Sequence, residues 1–540
     1  MATVSEPHRE RGTEGRTIAA SGALLLGAFA LTKAAGYIQK VIIAHKFGTG
    51  ADMDVYVLSF TIPDILLFLV IGGAVSSAFV PVTSERLARG DDVGATNVVN
   101  GVMTAAFLVL LGSVALLELA APLVVGRLAA HLSPRGQELA LTLTRVLLLQ
   151  ALFLGMGGFA AGVMNTYRRF LPLSLAPLFY DLAIIAAALS LTGLRVHGRP
   201  LGVVGLAIGV AAGGLCHFLV QVPSLLRLGW RPIVLAAVRD PAVRRVARLT
   251  VPISLALIAI QANLAVDRYL ASSLPPGRVS ALDFANEIAQ LPNLTFTTAL
   301  TLVMFPYFAR DAAVGNLDQL RRRASLAVRL NMFVLLPSAV VLIVLGPQIT
   351  ALLLQRGSFD AHSTALVSLP LALFAVGIGA QASIFLVVRV YYALQKVVTP
   401  MLVAFVAVAV NLLATALLLR VLGAGGLALA TSIASICNFS LLVLLLRPHI
   451  GGFEGRRFAI SLGQVGAGCA VLGLVAALAF PLLAGPGPVR LDLRHYAALA
   501  LTLLVAGGSF LAIQFALHSE EAGVALRVFL RRRDAVEVVA

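Results

Sequence analysis

Two lysines seven residues apart in an apolar stretch, Lys33 and Lys40, are the side chains here best placed to do chemistry. On an α-helix that spacing is close to two turns, so both project from one face, roughly 10 Å apart, with Gly36 between them. An ionisable group inside a membrane span is expensive and needs a partner or a wet cavity. Lys33 lies nearer the middle of the stretch and is expected to face such a cavity. Lys40, near the outer end, has two readings: the same cavity, or a stem that snorkels to water. A second constellation is Asp283, Asn286, Glu287 and Gln290, which helical rotation gathers into one stripe. A polar stripe on an apolar helix argues for an aqueous lumen, and Glu287 is expected to face a lysine across it. Fixed cations in a lumen attract an anionic headgroup.

The elements that must position these residues follow from composition. Of 540 residues, 59% are hydrophobic and 12% charged, and the mean hydropathy is +0.94. A soluble chain of this length could not hide so much apolar surface. Runs such as Ala105–Val125 and Met401–Leu419 match the roughly 20 residues that a helix needs to cross hydrocarbon. The fold class is therefore an all-α polytopic membrane protein. Hydropathy and the Gly/Pro/Arg-rich breaks predict about 14 spans, near 17–46, 54–85, 95–127, 136–166, 171–193, 201–226, 246–272, 279–308, 325–353, 362–394, 399–420, 425–446, 459–484 and 495–517.

The chain also repeats itself. Gly205-Leu206-Ala207 followed by Cys216-His217-Phe218 returns as Gly426-Leu427-Ala428 and Cys437-Asn438-Phe439. Pro63 pairs with Pro292 and Pro172 with Pro400, so the offsets are 221, 229 and 228 residues. Two parallel six-helix repeats, 17–226 and 246–446, are expected, joined by a basic linker, 227–245. A helix pair within 447–517 is left over, flanked by a polar tail, 1–16, and a basic tail, 518–540. Membrane proteins built from two similar halves commonly place a binding site between them. With the N-terminus inside, about 25 of the 41 Lys and Arg residues fall on inner loops and tails and about 10 on outer loops. That bias predicts cytoplasmic termini.

Several classes are excluded or disfavoured. The formal charge of +16 is gathered between apolar spans, where orientation and anionic lipid explain it, and no nucleic-acid partner is expected. Cys216, Cys437 and Cys469 have neither metal-ligand nor disulfide spacing. The start is polar with both signs of charge, unlike a signal peptide. No phosphate-cradling glycine loop or histidine cluster marks an enzyme.

With these residues in view, the chain resembles the MurJ/MviN family of lipid II flippases, within the larger group of multidrug and oligosaccharidyl-lipid exporters. The resemblance runs from about Thr17 to Arg447. It rests on Phe47-Gly48 through Asp54 to Ile62-Pro63, and on Gly73-Ala74 leading to Ala78-Phe79-Val80-Pro81-Val82. It rests equally on Met164-Asn165 with Arg169-Phe170, on Gln355-Arg356-Gly357-Ser358-Phe359-Asp360, and on Tyr391-Tyr392-Ala393-Leu394 leading to Thr399-Pro400. The extra helix pair matches in number and position. What the resemblance implies is a V-shaped bundle with a central cationic cavity. That cavity would bind the diphosphate and sugar-peptide head of an undecaprenyl-linked peptidoglycan precursor, with a groove on the extra helices for its tail. Alternating access in a bacterial plasma membrane would carry the head outward. Substrate-binding residues would be Lys33, Gln39, Lys40, Asp54, Glu287 and Gln290.

Departures from the family pattern matter. The family commonly carries arginines in the first, second and eighth spans. At the matching positions stand Lys33, Gln39, Leu67 and Glu287, with Lys40 one residue from a lost charge. Lysine lacks the planar fork of arginine, so a diphosphate would be gripped differently. Asp54 keeps the family's acid. Some family members hold sodium, and the similar positions are Asp267, Asn411, Thr415 and Thr431. Thr415 stands where an acid would be expected, although a hard cation favours charged oxygens. Apart from sodium no cofactor is expected, and the partners would be the undecaprenyl-linked lipid and membrane lipids around a monomer. The other readings are an exporter of another polyprenyl-linked oligosaccharide, an intramembrane transferase and a non-transporting scaffold.

Overall fold

Helix starts are set by short polar side chains that bond the first free backbone N–H groups. Asp91, Ser133, Asn316, Asp360 and Asp492 each accept from the N–H three residues on, and so open the helices Asp92–Leu128, Pro134–Thr166, Leu317–Leu354, Ala361–Ala393 and Leu493–Ala516. The computed structural model describes residues 27–28, 31–74, 79–196, 198–485 and 487–530. The polar tail 1–16, the beginning of the first expected span and the Arg531-Arg532-Arg533 run lie outside the described residues.

The all-α class holds. Apart from a two-residue hairpin pairing Arg195–Val196 with Arg199–Pro200, the described regular structure is helical. Among the described residues the count of about 14 spans is met in part. Eleven described helices are long and apolar enough to cross a membrane, or twelve if Arg278–Asn293 and Phe296–Ala313, bent by 44°, form one span. Pro292 lies in that bent region, where it removes a backbone donor. The other two expected spans correspond to the helices 31–47 and Pro241–Ala271, which fall outside that count.

The duplication recurs in backbone conformation. Gly202 (φ 52°, ψ −128°) and Gly423 (φ 54°, ψ −127°) precede the helices Val203–Leu219 and Ala424–Ile450, at the same 221-residue offset. Only glycine tolerates that region, so both copies need it. Arg168 (φ 55°) and Gln395 (φ 58°) likewise take left-handed conformations in the turns before the paired prolines Pro172 and Pro400.

Two compact units emerge, 1–47 with 55–265, and 48–54 with 266–540. The boundary falls inside the helix Pro241–Ala271 and not at 227–245. The expected linker is in fact packed within the first unit. Asn100 accepts from the Arg231 N–H at 2.9 Å and Thr104 from the Val234 N–H at 3.0 Å. Arg86 pairs with Asp240 at 3.1 Å. Gly101 leaves room for the Ala237 carbonyl, which a Cβ there would meet at 2.4 Å. A segment whose backbone donors are bonded this way belongs to the bundle.

In the second unit, buried Phe308, Tyr391 and Leu446 help form one core. The extra pair, Gly455–Ala484 and Leu493–Ala516, packs on Leu317–Leu354 through Phe333, Cys469, Ala476, Ala506 and Phe510. Small residues at such seams let helices approach where lipid offers no hydrophobic gain. Leucines on other faces, such as Leu119 and Leu482, are left exposed, as lipid contact requires.

Candidate functional site

The first unit holds the lysine pair. The helix 31–47 runs beside Phe170–Ser190 and is fastened near both ends. The Thr32 hydroxyl lies between two acceptors, the Ala28 carbonyl four residues back at 2.9 Å and the Ser174 carbonyl at 3.2 Å, and Lys46 donates to Thr192 Oγ1 at 3.2 Å. Between those ties lies Asp181. Its Oδ2 sits 3.3 Å from where a Cβ on Gly36 would stand, and the charges of Lys40 and Lys33 both act on it. Lys33 is exposed and Lys40 half-buried. Gln39 is buried, a quarter-turn or so from that face. Next to Asp181, the Tyr180 hydroxyl accepts from Gln150 Nε2 at 3.3 Å and feels both Asp64 and Asp181. The site therefore contains two cations around one central carboxylate, in place of two isolated lysines.

In the sequence Asp181 is a weaker candidate within or at the edge of a span, open to interfacial placement or a structural ion pair as much as to ligand contact, and Tyr180 and Gln150 carry no signal. A usable signal existed for Asp181: a span that carries lysines requires an acid on a neighbouring span. Which acid it is depends on tertiary packing.

The second unit treats its polar residues differently. On Arg278–Ala313, Asn286 and Glu287 are exposed and Asp283 is half-buried. Gln290 instead turns into the bundle, where its Nε2 donates to Gln381 Oε1 at 3.2 Å and its Oε1 accepts from Asn293 at 2.9 Å. One turn further on, Thr297 donates to Asn331 Oδ1 at 2.9 Å, and Asn331 Nδ2 donates to Ser383 Oγ at 3.1 Å. The predicted stripe thus splits into an exposed part and a part that bonds helix to helix.

Asp54 lies in the 48–54 segment of this unit and is buried. Its carboxylate accepts from the Gly277 N–H, from the Ser280 N–H at 2.7 Å and from the Ser280 hydroxyl at 2.6 Å. It closes the N-terminus of Arg278–Ala313, where free N–H groups and the helix dipole favour an anion. Asp54 is a helix cap in this structure, with its acceptor capacity largely committed.

The loop Gln355–Asp360 packs beside it. Phe359 is fully buried against Phe284, ring centroids 5.4 Å apart, and Thr49 donates to Ser363 Oγ at 2.8 Å. Arg356 donates to the Leu353 carbonyl at 2.6 Å and to the Tyr496 hydroxyl. Hydrogen bonds from Ser363 hold the Asp360 carboxyl below its ordinary value.

The four residues considered for sodium are partly assembled. Asp267 and the buried Thr415 are neighbours, although Thr415 Oγ1 makes no hydrogen bond of ordinary geometry. Asn411, also buried, is one turn earlier on the same helix as Thr415. The Thr431 hydroxyl donates to the Leu427 carbonyl of its own helix at 3.0 Å. The structure thus brings Asp267 and Thr415 together. Among the described residues, no three His, Cys, Asp or Glu side chains could hold a metal together.

A duplicated all-α membrane bundle with charge kept on its span faces defines a carrier-type transporter. The family model described as "Lipid II flippase MurJ" matches residues 43–494. The lipid II flippase MurJ of Burkholderia cenocepacia is 30% identical over 428 residues, 78% of this chain and 82% of that protein. A solved structure of a lipid II flippase MurJ in an inward closed conformation superposes with a TM-score of 0.75 at 22% identity, covering 94% of this chain and all of that one. An inward-facing multidrug-resistance MATE transporter shares the fold with a TM-score of 0.64 at 15% identity, over 77% of this chain and 94% of that one. This chain belongs to the lipid II flippase MurJ family.

Proposed function

We propose that this protein moves lipid II, the undecaprenyl-diphosphate-linked peptidoglycan precursor, from the cytoplasmic to the outer face of a bacterial plasma membrane. Family membership over 43–494 carries the reading. The lysine pair gives it a physical basis. A diphosphate leaving water needs fixed cations to replace its hydration, and Lys33 and Lys40 supply two on one helix face. The protein acts as a transporter without bond-making chemistry, as a monomer with both termini cytoplasmic. The polyprenyl tail stays in lipid along the extra helix pair.

The roles of the other predicted residues are revised. Gln290 and Asp54 shape the helix Arg278–Ala313, on which Glu287 is exposed. Where sodium binds, Asp267, Asn411 and Thr415 would hold it, and it would supply the charge that offsets a buried carboxylate.

The test is complementation in cells depleted of their own flippase, combined with an assay for lipid II exposed on the outer face. Wild type should restore growth and exposure. Lys33→Ala combined with Lys40→Ala should lower exposed lipid II at least tenfold at equal expression. Wild type that is expressed and inserted yet restores neither would end the proposal.

A further inference from the structure

The geometry points to Asp181 as a built-in counter-ion that occupies the lysine pair when no substrate is bound and is displaced by the substrate's diphosphate. This rests on the function proposed above and deepens it, by naming the residue that sets affinity and release.

Three observations carry it. First, Asp181 sits between the two lysines along the helix: its carboxylate lies against Gly36, four residues before Lys40 and three after Lys33, and both charges act on it. Second, helix 31–47 is already tied to Phe170–Ser190 by Lys46, whose ammonium donates to the Leu189 carbonyl at 3.5 Å and to Thr192 Oγ1, just past that helix, at 3.2 Å. The carboxylate is therefore not needed to hold the two helices together. Third, Gly36 leaves a vacant side-chain position facing the carboxylate, and a Cβ there would stand only 3.3 Å from it.

The charge balance gives this arrangement its use. Two ammonium groups with no anion between them would be costly in a span while the carrier is empty. One carboxylate offsets that cost and leaves a net single positive charge on this face. A diphosphate, bearing more charge and more acceptor oxygens than a carboxylate, competes for the same donors. Once the head has left, the carboxylate returns. The counter-ion thus weakens binding in both directions of travel, as a carrier that must let go requires.

The experiment uses the full-length protein in nanodiscs and undecaprenyl diphosphate as the probe, with bound lipid read by native mass spectrometry. Asp181→Asn should bind it roughly tenfold more tightly than wild type, with a steeper loss of affinity in salt. Asp181→Glu should return affinity towards wild type, which a purely steric role would not do. In the transport assay, Asp181→Asn should lower the substrate level needed for half-maximal flux while slowing flux at saturation. If Asp181→Asn does not accumulate, Gly36→Ala presses on the same carboxylate from the facing helix and should raise affinity in the same direction. Wild-type binding that is unchanged or weakened in both variants overturns this inference and leaves the proposed function standing. No binding by wild type or by either variant overturns both. Binding gained only when the carboxylate is removed supports it.

Discussion

The two units use polar residues in membrane helices in opposite ways. In the second, they are bonded into fixed networks: Gln290 with Gln381 and Asn293, Thr297 through Asn331 to Ser383, and Asp54 across the start of Arg278–Ala313. Arg329, with 4% of its side chain exposed, meets Glu521, with 1% exposed, at 2.6 Å, and Ser461 and Ser519 donate to the same carboxylate. In the first unit, Lys33 remains exposed, and two cations share one carboxylate beside an open glycine. A densely bonded network defines one structure, whereas a carboxylate shared between two cations can exchange its partner. The contrast teaches that buried, mutually bonded polar groups mark scaffold here, and charge on an accessible helix face marks function.

The contrast can be broken at its strongest point. Arg329→Leu leaves Glu521 buried without its cation and should destabilise the detergent-solubilised protein by about 3–5 kcal/mol. Thermal unfolding followed by tryptophan-independent dye binding would measure it, and a loss below about 1 kcal/mol would mean the network is not structural. Next, Asp54→Asn removes the anionic acceptor from three donors and should cost about 2–3 kcal/mol locally. Faster amide exchange at 277–281, with little change in the first unit, is the expected reading.

A sharper test uses the duplication. Gly202→Ala and Gly423→Ala should each cost about 1–3 kcal/mol, because each imposes the same forbidden backbone region. The two losses should be nearly equal, and unequal melting shifts would show that the copies carry different loads. The smallest effect is at exposed Asp360. Its folded value lies below the ordinary 3.8, so its stabilisation is complete above that pH and is lost as pH falls through the depressed value. Asp360→Asn should remove this acid-side slope from the melting temperature.

Much of the fold was legible from local pattern. Hydropathy placed the helices, and a glycine-led repeat at 205 and 426 announced a duplication whose backbone counterpart is the pair Gly202 and Gly423. The site was legible only in part. Lys33 and Lys40 share a face because helical period alone dictates it. Asp181 ranks only among the weaker candidates in the sequence, because its role depends on which helix lies beside Gly36. The family resemblance places Asp54 among the substrate contacts, and its capping role is invisible in the sequence because its partners, Gly277 and Ser280, lie more than 220 residues away. Thr431 donates its hydroxyl to the preceding turn of its own helix, a bond that leaves the oxygen lone pairs in place. The linker at 227–245 looked free because Asn100 and Thr104, which bond it, sit in a separate span.

The segment 48–54 has a consequence for how the molecule is made. It leaves the ribosome early, yet its neighbours Gly277 and Ser280 do not exist until some 226 residues later. At elongation speeds of about 5–20 residues per second that gap is roughly 10–45 s. Throughout that time an acidic strap must wait, inserted in the membrane and without its cap to close. The last turn of assembly in the second unit therefore reaches back to the first fifty-odd residues of the chain, and the nascent protein cannot be finished in the order in which it is written.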